Sequence, residues 1–279
     1  MNMTGFTNLA HPRLADGFEW RQTPAGLALV CRALEGYAPH VFTTRHWALG
    51  SAVDGDRAAG WEEVARALDV DGPHLARAHQ VHGASVVVRR AGEPQRDADT
   101  FPQADVIVSD DPALALAIQT ADCIPLLIAD RRTGVVAAAH AGWRGMAARV
   151  PEVAVQALAR EFGSRPGDLV AAVGPSISAS RYEVGADVRA RFADAGFLAS
   201  QLEQWFADAG RPEHWYFDGW AAARDQLNAA GIPAGQIHVA ELCTASHPEL
   251  LCSYRRDGKL SGRMAGAIRL KNTRDTNES

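Results

Sequence analysis

The apolar residues of this chain fall into short runs separated by polar segments, and this pattern predicts strands that alternate with helices. Runs of about four to eight apolar residues bounded by turn residues are typical of strands buried on both faces. The predicted strands cover residues 26–34, 40–44, 106–108, 113–119, 126–129, 135–139 and 169–173. Apolar residues at helical spacing predict helices over residues 59–68, 146–162, 184–195 and 220–230.

A proline and two polar segments limit where the predicted helices and strands extend. Pro151 interrupts the helix predicted over residues 146–162, where it indicates either a kink or the first turn of the effective helix. The polar stretch 92–100 predicts a surface loop, and residues 271–279 predict a disordered tail. The sequence therefore indicates a mixed αβ protein.

The composition of the chain limits which classes of protein it can belong to. The chain has 279 residues, of which 47% are hydrophobic, enough for a large core. A net charge of -5 argues against a basic nucleic-acid-binding surface, so the expected partner is a small molecule. No apolar stretch approaches the ~20 residues of a membrane span, and the first 20 residues lack the core of a signal peptide. We therefore expect a cytoplasmic protein whose four cysteines are free thiols or ligands.

The candidate chemistry begins with Cys123 and His140, each at the end of an apolar run. A thiol and an imidazole that converge can bind one metal ion or form a nucleophile and base. His82, in the string QVHG, is a candidate third ligand, and two nitrogens with one sulfur suit tetrahedral zinc with an open position. Spacing alone does not decide between these alternatives, because no paired CxxC or HxxxH signature is present.

Three residues near these candidates have possible roles of their own. His79 lies three residues before His82 in predicted extended chain, so the two side chains are expected on opposite faces and His79 outside the metal site. Asp122 is either a hydrogen-bond acceptor or proton carrier beside Cys123, or a turn cap. Arg144 lies where a strand passes into a helix, which indicates either an anion site suited to phosphate or a salt-bridged or solvated arginine.

Six ordered strings resemble one family. QVHG, ADVIVSD, TADCIPLL, AAAHAGWRG, VGPSIS with YEVG, and CT followed by PELLCSYRRDGKLSGRMA resemble the YfiH-like family, also labelled multicopper polyphenol oxidase or laccase-domain proteins. The resemblance spans residues 40–268 and implies an α/β (α+β) fold, a single-domain layered sandwich with mixed β-sheets over residues 1–270. It implies a pocket where the central strands end, walled in part by residues 253–256 and 262–264. Whether the protein forms a homodimer is left undecided by the sequence.

Arg45 enters through the resemblance alone. The segment Phe42 to Arg45 is similar to an early FxTR-type segment of the family, which makes Arg45 a second candidate for phosphate or substrate. Relatives usually continue with a pair of glycines, whereas this chain continues with His46 and Trp47. The role of Arg45 therefore depends on how this loop folds.

The resemblance implies a zinc-dependent purine nucleoside phosphorylase. It would cleave adenosine, inosine and methylthioadenosine with phosphate and would carry a companion adenosine deaminase activity. His82, Cys123 and His140 would be the catalytic metal ligands, and Arg144 and Arg45 would bind phosphate. Zinc would polarise a substrate group or lower the pKa of water toward 7. The HxE signature of cytidine-type deaminases is absent, so another group must carry the proton.

Three alternatives stay open. Copper loading, with Cu²⁺ in place of Zn²⁺, implies a laccase-like polyphenol oxidase, although one Cys and two His lack the multi-histidine set of a coupled copper cluster. Cys123 and His140 without metal would form a thiol hydrolase acting on peptidoglycan precursors, and chelation distinguishes it from a zinc enzyme. A non-catalytic metal-binding module is less favoured, because three ligands with an open position are typical of catalysis.

Overall fold

The elements of the chain are taken from a computed structural model that describes residues 11–93 and 101–271. In chain order the strands are β1 (Phe18–Thr23), β2 (Gly26–Cys31), β3 (His40–Thr43), β4 (Gly50–Ser51), β5 (Gly55–Asp56), β6 (Leu75–Ala76), β7 (Val86–Arg89), β8 (Val106–Ser109), β9 (Ala115–Thr120), β10 (Ile124–Asp130), β11 (Val136–Ala141), β12 (Leu169–Val173), β13 (Glu183–Gly185), β14 (Phe206–Asp208), β15 (His214–Phe217), β16 (Ile237–Val239) and β17 (Met264–Arg269).

The helices are distributed unevenly along the chain, with most of them after β11. They are α1 (Arg32–Glu35), α2 (Ala58–Ala67), α3 (Trp143–Ala147), α4 (Val150–Phe162), α5 (Ala186–Asp194), α6 (Ala199–Trp205), α7 (Gly219–Ala229) and α8 (Tyr254–Asp257).

Two six-stranded sheets form the centre of the fold. The first sheet has the order β1-β2-β3-β17-β9-β6, and its pairs are antiparallel except β6 with β9. The second sheet has the order β16-β12-β10-β11-β8-β7, in which β12 pairs with β16 and β7 with β8 in parallel. Both sheets are therefore mixed, and β13-β15-β14 and β4-β5 form two smaller ones.

The layers stack as helix, sheet, sheet, helix. Leu29 and Phe42 of the first sheet pack against Leu127 of the second in one buried cluster. Within β8, Ile107 belongs to that cluster, whereas its neighbours Val106 and Val108 belong to the cluster that the second sheet forms with α4 and α7. This alternation is the period of two expected of a strand with both faces covered. Helix α2 covers the outer face of the first sheet. The predicted layered sandwich with mixed sheets is confirmed.

Predictions that rested on buried apolar runs agree best with the structure. The strands predicted over residues 40–44, 106–108, 126–129 and 169–173 are confirmed as β3, β8, β10 and β12, apart from one or two residues at their ends. The helices predicted over residues 59–68 and 220–230 are confirmed as α2 and α7. The strands predicted over residues 113–119 and 135–139 correspond to β9 and β11.

Three boundaries were wrong. The strand predicted over residues 26–34 ends at Cys31, after which α1 buries Leu34. The helix predicted over residues 146–162 is two helices, because Arg149 has a φ of 60° and interrupts the hydrogen-bonded turns. Pro151 lies in the first turn of α4, as one of its two interpretations had it. The helix predicted over residues 184–195 begins only at residue 186, because β13 precedes it.

Most of the stretch 92–100, predicted as a loop, and of the tail 271–279 lies outside the described residues. Among the helices in the described ranges, we find none whose length and hydropathy suit a bilayer crossing.

Candidate metal centre

Cys123 lies in the bend that carries the chain from the first sheet to the second, between β9 and β10. Asp122 makes this bend with a left-handed φ of 87°. Both of its carboxylate oxygens are engaged, since Oδ1 accepts from Thr244 Oγ1 at 2.5 Å and Oδ2 from the backbone N–H of Arg255 at 2.6 Å. Asp122 thus ties the bend to the carboxy-terminal segment, and these bonds stabilise a conformation that a non-glycine residue rarely adopts.

His140 is the penultimate residue of β11 and is 3% exposed. Its Nδ1 donates to Oδ1 of Asp105 at 2.9 Å, and its backbone N–H donates to the Asp105 carbonyl at 2.8 Å. Asp105 is fully buried directly before β8, the strand that pairs with β11. With the proton held on Nδ1, Nε2 is the nitrogen that remains for a ligand.

The same carboxylate positions His82. Asp105 accepts the backbone N–H groups of Val81 at 3.3 Å, His82 at 3.0 Å and Gly83 at 2.6 Å. His82 has a φ of 59°, so the prediction of extended chain between His79 and His82 was wrong at this residue. Asp105 therefore fixes both histidines at once, one through its ring and one through its backbone.

The three predicted ligands converge. One nitrogen from each of His82 and His140 and the sulfur of Cys123 all lie within 4.8 Å of one another, and His79 is not in this group. The two imidazole rings are perpendicular, with centroids 4.8 Å apart. Gly142 leaves room for the cluster, because a Cβ there would lie 2.8 Å from Cys123 Sγ and 3.1 Å from His82 Cδ2.

Cys123 and His140 perturb each other's ionisation. Burial acts to raise the pKa of the Cys123 thiol, but the neighbouring His140 and His82 lower it to about 6. Burial acts to lower the pKa of His140, but Cys123 and Asp105 raise it to about 9. The thiolate is therefore stabilised near neutral pH, which is the form that binds metal and attacks electrophiles.

The cluster opens into a cavity of about 820 Å³. Arg144 lines it, and so do Tyr254, Arg255 and Arg263 from the two segments, 253–256 and 262–264, that were predicted to help wall the pocket. Arg144 is exposed, and its guanidinium stacks 4.3 Å from the ring centroid of Trp143 without an ion pair to any described residue. Helix α3 spans only five residues, so the guanidinium rather than the helix start is the main source of positive charge at this point.

Arg45 lies elsewhere. It is not among the residues that line the cavity, and its guanidinium donates to the carbonyl of Pro248. After Arg45 this chain buries Trp47, and residues 45–47 form a 3₁₀ turn. The structure therefore does not bring Arg45 together with Arg144.

Two residues of the site were missed at the sequence level. Asp105 directly precedes the buried run 106–108 in ADVIVSD. The one feature of the sequence that could have indicated its role is a carboxylate immediately before an apolar strand. Tyr182 lines the cavity half-buried, and the guanidinium of Arg255 lies 4.9 Å from its ring centroid. Burial, together with the nearby Cys123, raises the pKa of the Tyr182 phenol, so it keeps its proton.

Sequence comparisons agree with the resemblance. The profile of the family described as Multi-copper polyphenol oxidoreductase laccase matches residues 40–271. A relative from Deinococcus radiodurans named Purine nucleoside phosphorylase is 36% identical over 260 residues, which are 89% of this chain and 95% of the relative. Another of that name, from Bacteroides thetaiotaomicron, is 38% identical over 164 residues, which are 59% of this chain and 60% of the relative.

The fold agrees as well. The crystal structure of the Bacillus licheniformis hypothetical protein YfiH matches with a TM-score of 0.82 and 29% identity, over 90% of this chain and 99% of that one. The crystal structure of YlmD from Geobacillus stearothermophilus matches with a TM-score of 0.78 and 27% identity, over 91% of this chain and 99% of that one.

Proposed function

Because the chain belongs to the laccase-domain, YfiH-like family, we propose that it is a zinc-dependent purine nucleoside phosphorylase. Its substrates would be adenosine, inosine and methylthioadenosine together with inorganic phosphate. The relatives' names support the reaction class. The observation that carries the proposal is the group of His82, Cys123 and His140 at a cavity that Arg144 also lines.

The donor set fits zinc. A thiolate with two imidazoles matches the borderline softness of Zn²⁺, and three protein ligands leave one position open. Asp105 supports the fit, because its bond to His140 Nδ1 leaves Nε2 for the ion. When bound, zinc would supply Lewis acidity to a substrate group or to water.

Side chains of the cavity wall would position phosphate and the nucleoside for the reaction. Phosphorolysis breaks the bond between the anomeric carbon and the purine nitrogen and forms a bond from that carbon to a phosphate oxygen. Arg144 and Arg255 would hold phosphate, since guanidinium groups match phosphate oxygens in geometry and charge. Tyr182 lies against Arg255 and remains protonated, so its phenol can donate a hydrogen bond to bound phosphate or to the substrate.

The companion activity, deamination of adenosine, would use the same centre. It replaces the exocyclic amine with oxygen from water and releases ammonia, so it needs a proton carrier. No carboxylate stands two residues after His82 or His140, and Asp122 already accepts two hydrogen bonds. Tyr182 lines the cavity, keeps its proton and interacts electrostatically with Cys123, so its phenol is the candidate proton carrier.

The test is a product assay. Zinc-loaded protein is incubated with adenosine, with and without phosphate, and adenine, ribose 1-phosphate and inosine are quantified. We expect phosphate-dependent adenine and ribose 1-phosphate, lost on chelation, restored by zinc, and abolished in Cys123→Ala and His140→Ala. Cys31→Ala is the matched control, because Cys31 is a buried thiol in the cluster between the sheets, outside the cavity. No turnover by fully zinc-loaded protein would overturn the proposal.

A second function is favoured by one observation. Cys123, His140 and Asp105 form a thiol, imidazole and carboxylate series of the kind that cysteine hydrolases use, with the base oriented by the acid. The metal-free protein would then cleave amides, such as those of peptidoglycan precursors. In the same preparations, amide cleavage that survives chelation and disappears in Cys123→Ala would support a hydrolase, and cleavage that needs zinc would count against it.

Copper chemistry has less support. The described ranges hold one group of His, Cys, Asp and Glu side chains arranged to bind a metal. Oxidation of polyphenols with reduction of oxygen to water needs several coupled copper ions. We therefore do not extend the proposal to laccase activity.

A further inference from the structure

A second part of the cavity wall has no role in binding the metal or, in our proposal, phosphate. Its members are Asp56 in β5, Arg77 directly after β6, Gln119 in β9, and Phe101 in the segment that precedes β8. We call these four residues the base wall. All four precede Cys123 in the chain, whereas Arg144 and Arg255 follow it.

Arg77 is held rigidly in this wall. Its guanidinium carbon lies 3.7 Å from the ring centroid of Trp61 and 4.7 Å from that of Phe101. It forms an ion pair with Asp56, and its side chain is only 16% exposed. The two ring contacts and the ion pair leave this guanidinium little conformational freedom. It therefore supports the ring of Phe101 in a fixed position.

Phe101 is 41% exposed although it is a large apolar side chain, and its ring lines the cavity. Arg77 contacts the ring, yet much of its surface remains free. A free aromatic surface inside a cavity is suited to stack on a planar ring, and base stacking on aromatic side chains is a general mode of nucleobase binding.

Gln119 presents a hydrogen-bond acceptor beside that ring. Its backbone is bound by Gln80, whose side-chain oxygen accepts the Gln119 N–H at 2.7 Å and whose amide donates to the Gln119 carbonyl at 2.8 Å. Its own Nε2 donates to Asp56 Oδ1 at 3.2 Å. The orientation of the amide is therefore set, and Oε1 has no donor among the described residues.

We propose that the base wall binds the purine base, with Phe101 stacking on it and Gln119 Oε1 accepting from its edge. This assignment rests on the proposed nucleoside phosphorylase function. Gln119 is four residues from Cys123, so their Cα atoms are at most about 14 Å apart, and one ligand can reach both. Oε1 accepts from the exocyclic amine of adenine, whereas hypoxanthine presents an oxygen there, so Gln119 favours adenosine over inosine.

The experiment measures KM for each substrate and the binding of free adenine to zinc-loaded protein by calorimetry. Phe101→Leu raises KM for adenosine and weakens adenine binding by about tenfold, with KM for phosphate unchanged. Phe101→Tyr keeps the ring and stays near wild type. Gln119→Leu raises KM for adenosine about fivefold more than KM for inosine. Phe162→Leu is the matched control, because Phe162 also stacks with an arginine but lies outside the cavity.

The outcomes separate this inference from the function on which it rests. If wild-type protein catalyses phosphorolysis and Phe101→Leu leaves both KM for adenosine and adenine binding within twofold, the base wall is overturned and the function stands. If wild-type protein catalyses no phosphorolysis but binds adenine in a manner lost in Phe101→Leu, the function is overturned and the base wall stands. If it neither turns over nor binds adenine, both are overturned.

Discussion

His40 is a buried histidine with both ring nitrogens engaged. Nε2 accepts the backbone N–H of Cys31 at 2.8 Å, and Nδ1 donates to the carbonyl of Ala38 at 2.9 Å. Burial, only partly offset by the Ala38 carbonyl, lowers the pKa of His40 from 6.5 to about 4. The folded protein therefore holds this ring neutral, whereas the unfolded chain protonates it at a higher pH.

The pH dependence of stability follows from that difference. Below about pH 6.5 the unfolded chain binds a proton that the folded protein does not, so the stabilisation is complete above that pH and is lost as pH falls toward 4. Wild type should lose about 2 kcal/mol more than His40→Gln between pH 7 and pH 5 in urea titrations. His46→Gln, at an exposed histidine, is the control and should follow wild type. Equal losses in wild type and His40→Gln would contradict the assignment.

Gly142 is required by its neighbours rather than by its backbone, since its φ of -72° suits any residue. In Gly142→Ala the added Cβ would press on Cys123 Sγ and the His82 ring. We expect zinc affinity to fall at least about tenfold, as it does when ligand placement is disturbed, measured by competition with a chromophoric chelator. Gly235→Ala, where a Cβ meets open space, is the control. Unchanged affinity in Gly142→Ala would show that the cluster tolerates displacement.

At the residue scale, the sequence was sufficient for the three converging ligands because each belongs to a recognisable string. It was insufficient for Asp105, because the partner of that carboxylate, His140, lies 35 positions further along the chain, and only the pairing of β8 with β11 brings them together. The position of Arg45 was equally beyond reach of the sequence. Its string resembles the family, but its guanidinium donates to the carbonyl of Pro248, which lies 203 positions away in the chain.

Among the elements, the loop that carries His82 is joined to β8 and β11 through one carboxylate. Asp105→Asn keeps the shape of the side chain but substitutes an amide for an acceptor of four N–H groups. We expect zinc affinity to fall about 10- to 100-fold and stability to fall by about 1–3 kcal/mol, from chelator competition and urea unfolding. Asp208→Asn, at an exposed carboxylate that accepts one backbone N–H, should change neither. Wild-type zinc affinity in Asp105→Asn would refute this role.

Glycines face aromatic and proline rings at one place where the two sheets pack together. A Cβ on Gly174 would lie 2.3 Å from Phe42 Cδ1 and 2.9 Å from Pro125 Cγ. Gly174→Ala should therefore cost about 1–3 kcal/mol in urea unfolding, because the sheets must separate or Phe42 must leave its rotamer. Gly167→Ala, with no atom near the added methyl, should stay within about 0.5 kcal/mol of wild type. A neutral Gly174→Ala would mean that the sheets are loosely packed here.

Strands whose residues are all buried could be predicted from the sequence, whereas short, partly exposed strands could not. The central strands β10 and β12 are buried along their whole length, and their apolar runs predict them from the sequence. Strands β13 and β14 have three residues each and owe their form to pairing with β15. Such pairing is non-local, so no local pattern marks it, and β13 was read as the start of a helix.

At the scale of the whole molecule, the charge of the cavity wall differs in sign from the net charge of the protein. The chain has a net charge of -5, yet Arg77, Arg144, Arg255 and Arg263 line the cavity against the carboxylates of Asp56 and Asp122. A cleft of opposite sign concentrates anions locally, and salt screens the effect over about 10 Å at 0.1 M. An anionic ligand is thus drawn to the cavity although the protein as a whole repels it.

Under the proposed function, this arrangement gives a salt effect that differs between the two substrates. KM for phosphate should rise about three- to tenfold between low salt and 0.5 M NaCl, whereas KM for uncharged adenosine should change less than about twofold. In Arg144→Gln the dependence for phosphate should be weaker. Equal salt dependence for both substrates would argue that the arginines do not bind phosphate.

The position of β17 also constrains how the chain is made. It lies between β3 and β9 in the first sheet, although residue 264 is synthesised long after residues 43 and 120. On the ribosome, β3 and β9 must therefore wait with one edge unpaired until the last described strand emerges from the exit tunnel. Exposed edges of this kind attract other strands, so nascent chains are most vulnerable to aggregation in this interval and have most need of a chaperone.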